Sequence, residues 1–148
     1  MSLSTKIMDE MKNAMREKNT IALEALRAIK SEILLAQTAG GNAEITEADE
    51  IKILQKLVKM RKDSASIFTT QNRPDLAEPE LAQIAVIEKF LPAQLSEAEV
   101  EAIVSKIIAE TGASGIASMG KVMGLASAQI GGSAEGKTIS TIVKKLLV

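Results

Sequence analysis

The sequence contains no histidine, cysteine, tryptophan or tyrosine, and phenylalanine occurs only twice. Without histidine or cysteine, the chain lacks the usual nucleophile–base pairs and the imidazole and thiolate ligands of metal sites. The absence of cysteine also excludes a disulfide framework. Two aromatic rings are too few for a protein that binds single-stranded nucleic acid by stacking its bases. The composition therefore disfavours most enzyme classes, and no cofactor is predicted.

An excess of charge of one sign and long apolar runs are also missing. The 18 lysine and arginine residues nearly balance the 19 acidic ones, and the net charge is −1. So small a charge does not draw a protein onto nucleic acid, so an anionic partner has to meet a local patch. No apolar run approaches the roughly 18 residues that span a bilayer, and the first residues lack the apolar core of a signal peptide. We therefore predict a cytoplasmic protein with no membrane or DNA partner.

Apolar residues recur every three or four positions along the chain, and no stretch alternates as a strand does. The spacing predicts helices over residues 3–17, 19–37, 47–70 and from Asp75 or Pro79 to Phe90, with three more after Ser96. The side-chain oxygens of Ser4, Asn19 and Thr46 are predicted to cap the first three helices. A glycine pair at residues 40 and 41 is predicted to end the second. The predicted fold class is all-α.

The predicted boundary between two parts of the chain lies at Phe90-Leu91-Pro92. Pro92 cannot continue a helix, and Ser96 with Glu99 three positions later spells a capping box that begins a new one. We therefore predict an N-terminal helical domain of about four helices, residues 1–92, and a small C-terminal three-helix bundle, residues 93–148. The second domain is short enough for its core to be marginal by itself.

The third predicted helix carries lysines along one face. Lys52, Lys56 and Lys59 fall within an arc of roughly 60° on a helical wheel. Two interpretations are open: a solvated lysine face, or a stripe that follows phosphates and adds affinity without sequence specificity. Arg61 falls instead within the apolar arc. We predict that its stem is buried and its guanidinium paired with a carboxylate; the alternative is a ligand-facing role, with Pro92, at a groove between the domains.

Gly120, Gly124 and Ala128 recur every four residues in the sixth predicted helix, beside Lys121. Each glycine inside a helix costs about 1 kcal/mol relative to alanine, so two of them require a reason. One interpretation is close packing of a neighbouring helix. The other is a flat surface that an RNA backbone approaches, with Lys121 beside it.

The last predicted helix carries a polar stripe of Lys137, Thr141 and Lys144 opposite its apolar residues. Free backbone amides at its start suit a phosphate, but the glycine and lysine spacing is not that of a P-loop and no strand precedes it. Acidic pairs elsewhere in the chain lie in first turns of helices or on exposed faces. Neither a metal site nor a catalytic carboxylate pair is therefore predicted.

Three groups of residues resemble the signatures of the GatB/YqeY family, and together they extend over nearly the whole chain. The first group is Lys56, Lys59-Met60-Arg61-Lys62, Ser64, Phe68, Arg73 and Asp75-Leu76. The second is Glu88-Lys89-Phe90-Leu91-Pro92 with Gln94-Leu95-Ser96. The third is Gly112-Ala113-Ser114, Met119-Gly120-Lys121-Val122-Met123-Gly124 and Gly136-Lys137. The sequence departs from the family's usual pattern at Ser133 and Glu135, where arginine and aspartate are typical.

The resemblance implies an all-helical fold in two parts. Its C-terminal part is similar to the tail domain of the B subunit of glutamyl-tRNA(Gln) amidotransferase, which recognises tRNA. The family is accordingly linked to carbon–nitrogen ligases that use glutamine as amido donor. In this sequence, however, neither a glutaminase apparatus nor an ATP and magnesium site is recognisable.

The resulting hypothesis is a non-catalytic accessory protein of translation that binds tRNA or associates with the amidotransferase or another translation-linked protein. Lys121, Lys137 and Lys144, with Gly120 and Gly124, would meet the phosphate backbone, and the lysines of the third helix would extend that surface. The alternative is a helical protein–protein adaptor that binds no RNA. Its contact face would be the glycine stripe or a row of methionines, Met8, Met11 and Met15.

Overall fold

The protein is all-α in the computed structural model, which describes residues 2–39 and 44–148. Within those two ranges there is no strand, so the predicted fold class is confirmed. The helices are α1 (Leu3–Glu17), α2 (Thr20–Ala39), α3 (Glu47–Thr70), α4 (Pro74–Glu88), α5 (Glu97–Thr111), α6 (Met119–Ile130) and α7 (Gly136–Leu147). Single 3₁₀ turns, Ile116–Ser118 and Gly131–Ser133, precede and follow α6. The predicted glycine stop at residues 40 and 41 lies outside the described residues.

The helix starts follow the capping chemistry, with one correction. Ser2, not Ser4, caps α1: its hydroxyl accepts a hydrogen bond from the Thr5 amide at 3.2 Å because Ser2 has the extended backbone of a cap. The Asn19 side chain accepts from the Ala22 amide at 3.0 Å. Thr46 and the third helical residue, an aspartate, form both bonds of a capping box.

The fourth helix begins and ends earlier than predicted. It starts at Pro74, because proline at the first helical position loses only an amide that would have no partner in the helix. Pro79 lies inside the helix and does not begin it. The α-helix ends at Glu88 instead of Phe90, and the amides of Phe90 and Leu91 then donate to carbonyls three residues back, in turns that stop before Pro92.

The chain divides into two compact units, residues 1–91 and 92–148. In the first unit, α2 contacts α1, α3 and α4, and α3 packs along α4. Apolar side chains from all four helices form its core, which is centred on the fully buried Ile7, Leu26, Ile29, Leu54 and Ile87. The predicted domain boundaries, 1–92 and 93–148, stay a prediction.

The second unit consists of α5, α6 and α7, which contact one another pairwise. Its core contains the fully buried Val100, Val104, Val122, Ile139 and Val143. The predicted apolar faces of α5 and α7 are therefore the buried ones. Residues 131–135 join α6 to α7, and the two helices contact each other, so they form a helical hairpin.

Candidate functional site

Charge is unevenly distributed over the second unit. Its helices α6 and α7 carry four lysines, Lys121, Lys137, Lys144 and Lys145, and no aspartate or glutamate. The acidic residues of this unit lie on α5 and at Glu135. A helical hairpin with cations and no carboxylates has a positive local field even though the chain as a whole is nearly neutral.

Three of those four lysines are not neutralised by the protein itself. Lys145 Nζ lies 3.9 Å from a carboxylate oxygen of Glu101 on α5. By contrast, Lys121, Lys137 and Lys144 are exposed and form no ion pair among residues 2–39 and 44–148. Their ammonium groups are therefore available to an external anion.

The three available cations are spread along the hairpin. Lys137 and Lys144 are seven residues apart, which places them about 20° apart around α7 and roughly 10 Å apart along it. The ion pair turns Lys145 towards α5, and Lys144 lies about 100° away from it around the helix. Lys121 lies in the first turn of α6, far along the chain from the connecting turn, whereas Lys137 lies in the first turn of α7, next to it.

The glycines of α6 face open space. A β-carbon added at Gly120 or Gly124 would meet no other atom within 4 Å, and both residues are exposed. The close-packing interpretation of this stripe is therefore wrong, because no helix among residues 2–39 and 44–148 lies against it. Ala128 and Leu125 on the same side of α6 are exposed as well. Gly120, Gly124 and Ala128 make a shallow surface of small side chains, and Lys121 and the larger Leu125 lie beside it.

The turn between α6 and α7 is held by residues that precede α5. Gly131 has φ 57° and ψ −129°, a conformation open only to glycine. The Gln94 side-chain amide donates to the Gly132 carbonyl at 2.9 Å and to the Pro92 carbonyl at 2.8 Å. The Leu95 amide donates to the Ser133 carbonyl at 2.8 Å. The sequence did not predict this role of Gln94, because the Gly132 carbonyl is 38 residues away along the chain and no local pattern indicates the contact.

The lysine face of α3 is partly neutralised. Lys56 Nζ lies 3.7 Å from a carboxylate oxygen of Glu32 on α2. Lys52 lies beside Asp49, whose pKa is held below its usual value chiefly by hydrogen bonds from Thr46 and also by this lysine. Lys59 is exposed. These lysines belong to the first unit, and those of α6 and α7 belong to the second.

Arg61 is a structural tie in the first unit. Its Nε donates to the side-chain oxygen of Gln83 on α4 at 2.9 Å, and one Nη donates to the Leu57 carbonyl at 3.1 Å. Gln83 in turn donates to a carboxylate oxygen of Glu24 on α2 at 3.2 Å. The direct partner of the guanidinium is thus an amide, and the predicted carboxylate is one hydrogen bond further away. Gln83 lies between Arg61 and Glu24, and its side-chain amide bonds to both.

Within the described ranges, no group of three or more acidic side chains could hold a metal ion. None of the helices in residues 2–39 and 44–148 has the length and apolar character needed to cross a membrane. On the surface of the second unit, the exposed ammonium groups of Lys121, Lys137 and Lys144 can bind an anion.

The sequence of almost the whole chain matches one known protein family. The family model described as Yqey-like protein matches residues 4–147. The chain belongs to this YqeY-like protein family, as the resemblance of its sequence signatures predicted.

Fungal relatives share about a third of the residues. The chain is 33% identical over 132 residues to the protein named "Altered inheritance of mitochondria protein 41, mitochondrial" of Pyrenophora tritici-repentis, covering 87% of this chain and 71% of that protein. Proteins of the same name from Clavispora lusitaniae and Lachancea thermotolerans are 37% and 33% identical over 61% and 68% of this chain. The match spans about half of those two proteins, 52% and 55% of their length. These names assign the relatives to mitochondria and state no activity.

Proposed function

We propose that the second unit binds tRNA through α6 and α7, and that the protein is a non-catalytic accessory factor of translation. The observation that carries the proposal is the set of unpaired cations, Lys121, Lys137 and Lys144, on two helices without a carboxylate. Lysines in such an arrangement contact phosphates, which provide most of the affinity and fix orientation without reading sequence.

The open glycines of α6 add a steric reason. A surface of Gly120 and Gly124 has no side chains that would hold a ribose–phosphate backbone away from the helix. Retaining two glycines in a helix costs stability without any packing gain in this protein. A close-approaching ligand supplies a reason for that cost which intramolecular packing does not.

The proposal is tested by fluorescence anisotropy of end-labelled tRNA titrated with the full chain at several salt concentrations. We expect the affinity of the wild type to fall steeply with salt, because phosphate contacts release counterions. Each of the variants Lys121→Ala, Lys137→Ala and Lys144→Ala should weaken binding and reduce the slope of log K against log salt by about one unit.

Lys106→Ala is the matched control. Lys106 is also an exposed lysine of the same unit, but it lies on α5, where its Nζ is 4.0 Å from a carboxylate oxygen of Glu110, and not on α6 or α7. We expect this variant to keep the affinity and salt slope of the wild type. Absence of tRNA binding by the wild type at low salt, or an equal loss in Lys106→Ala, would overturn the proposal.

Two extensions belong to the same proposal. Lys52 and Lys59 would enlarge the RNA surface if the wild-type slope of log K against log salt exceeds the contribution of the second unit. The variant Lys52→Ala measures this contribution.

The tRNA amidotransferase, a glutamine-dependent carbon–nitrogen ligase, is the protein partner implied by the sequence signatures. Co-purification with that enzyme tests the partnership.

Cell fractionation decides between the predicted cytoplasmic location and the mitochondrial location given in the names of the relatives.

A protein–protein adaptor is the second candidate, and exposed methionines favour it. Met8 and Met15 on α1 are 48% and 54% exposed, and Met11 between them is half-buried. Flexible methionine side chains suit surfaces that adapt to a partner. Crosslinking of tagged cells followed by identification of both RNA and protein compares the candidates. Recovery of one protein that is lost in Met8→Gln/Met15→Gln, without RNA, would favour the adaptor.

A further inference from the structure

The start of α7 is fixed by an unusual set of contacts. Within the described part of the chain, Glu135 caps this helix without a side-chain capping bond, whereas Ser96 caps α5 with its hydroxyl. The 3₁₀ turn Gly131–Ser133 leads directly into this start. Ala134, between this turn and α7, is buried in the core of the unit, and the contacts of the turn add to that anchor in placing the first residues of α7.

The Gln94 side chain forms one of the hydrogen bonds that hold this turn. Its side-chain amide has two hydrogens, and they go to two carbonyls, Pro92 at 2.8 Å and Gly132 at 2.9 Å. The next residue, Leu95, donates its backbone amide to Ser133 at 2.8 Å. One side chain thus joins the segment entering α5 to the turn leaving α6. Both donors of the amide are used, so no other neutral side chain of this length reproduces the bridge.

We propose that Gln94 is a positioning residue that sets the start of α7 and, through it, the place of Lys137 on the RNA-binding surface; this inference rests on the proposed function. Lys137 is the second residue of α7, four residues after the turn that Gln94 holds. Lys144, seven residues further on, is anchored by the buried Ile142, Val143 and Leu147 around it. Lys137 lies between the buried Ala134 and Ile139 but nearer the turn than Lys144 does. Loss of the bridge should therefore change the place of Lys137 more than that of Lys144.

The test is a double-mutant cycle measured by tRNA affinity on the full chain. Gln94→Met keeps the length of the side chain and removes both donors, and Gln94→Glu sets a carboxylate against two carbonyls. We expect Gln94→Met to weaken tRNA binding between about two- and tenfold, the range of one lost hydrogen-bonding group, and Gln94→Glu to weaken it further.

The cycle separates positioning from general loosening of the fold. In a Lys137→Ala background, Gln94→Met should have almost no additional effect, because the contact it positions is already gone. In a Lys144→Ala background, its effect should be the same as in the wild type. Equal effects in both backgrounds, or no effect in either, would overturn the inference.

Amide hydrogen exchange provides a readout that does not require RNA. The Ile139 amide donates to the Glu135 carbonyl in the first turn of α7. Gln94→Met should accelerate exchange at Leu95 and Ile139 severalfold and leave the core residue Val104 of α5 unchanged. Unchanged exchange at Ile139 would show that Gln94 does not fix the start of α7. If the wild type binds no tRNA, the proposed function and the role of Lys137 both fail, while exchange still decides whether Gln94 holds the helix start.

Discussion

Arg61 Nε donates to the side-chain oxygen of Gln83 at 2.9 Å, and this bond joins α3 to α4 inside the first unit. Because Gln83 also donates to Glu24, the chain of hydrogen bonds ends on α2. Polar networks of this kind specify one arrangement of helices, since each member loses its partners if a helix shifts. The network thus explains why an arginine lies within the apolar arc of α3.

Replacing Arg61 should destabilise the first unit. Arg61→Met keeps much of the apolar stem and removes the donors to Gln83 and to the Leu57 carbonyl. We expect a loss of about 1.5–3 kcal/mol, as for hydrogen bonds from charged groups. Urea unfolding followed by circular dichroism measures it, because the chain has no tryptophan for fluorescence. Arg27→Met, on the exposed face of α2, is the control and should change stability little; an equal loss there would contradict the network's role.

Gly124→Ala should stabilise the protein. The new β-carbon meets no atom within 4 Å, and alanine favours a helix interior by about 1 kcal/mol over glycine. The melting temperature should therefore rise. In the same protein sample, tRNA affinity should fall if the backbone of the ligand approaches α6. A variant that is less stable than the wild type would show that the space beside Gly124 is occupied.

Gly131→Ala should have the opposite effect on stability. Here too a β-carbon meets no neighbour, but the backbone has φ 57° and ψ −129°. Residues with a β-carbon are strained in this region, at a cost of about 1–3 kcal/mol. The comparison with Gly124→Ala in thermal unfolding separates backbone conformation from space. A neutral result would mean that the turn relaxes to another conformation.

Acid should destabilise the first unit, because two of its carboxyl groups have lowered pKa values in the folded state. Hydrogen bonds from Thr46 lower the pKa of Asp49, and bonds from Arg73 lower that of Asp75. The unfolded chain therefore binds protons more readily than the folded one, so this stabilisation is complete above about pH 4 and disappears as the pH falls through the lowered values. In urea titrations, Asp49→Asn should be less stable than the wild type at pH 7, and the difference should shrink as the pH falls through the lowered pKa of Asp49.

Glu50 provides a control of opposite sign. Burial, followed by the charge of Glu47, raises its pKa. The folded state then binds this proton more readily than the unfolded state, so the carboxylate opposes folding at neutral pH and ceases to do so on acidification. Glu50→Gln should be slightly more stable than the wild type at pH 7 and equal to it at low pH. A difference that persists to pH 2 would point to a cause other than charge.

The sequence predicted the features that depend on neighbouring residues. Periodicity identified the helices, and Asn19 and Thr46 cap them as expected, since caps act within one turn. The predicted cap of α1, Ser4, was wrong, because Ser2 has the same side chain and the extended backbone of a cap. The sequence could not predict the environment of Gly124, since a glycine is found both where a neighbouring helix packs closely and where the space beside the helix is open.

Partners distant along the chain were the other limit. Whether a lysine is neutralised depends on which carboxylate the fold brings to it, as with Lys145 and Glu101 on a different helix. Lys144, the adjacent residue of the same type, has no such neighbour among the described residues. Local pattern alone cannot distinguish the two, so the unpaired set of cations is visible only in three dimensions.

The open glycines have a consequence for the order in which the second unit assembles. With two glycines in twelve residues, α6 has little tendency to be helical in isolation. Its helical state depends on docking Val122, Ala126 and Ile130 against α5 and α7. α6 is accordingly the segment of this unit expected to form last during folding and to open first in the native protein, and a ligand bound along its outer face would suppress that opening.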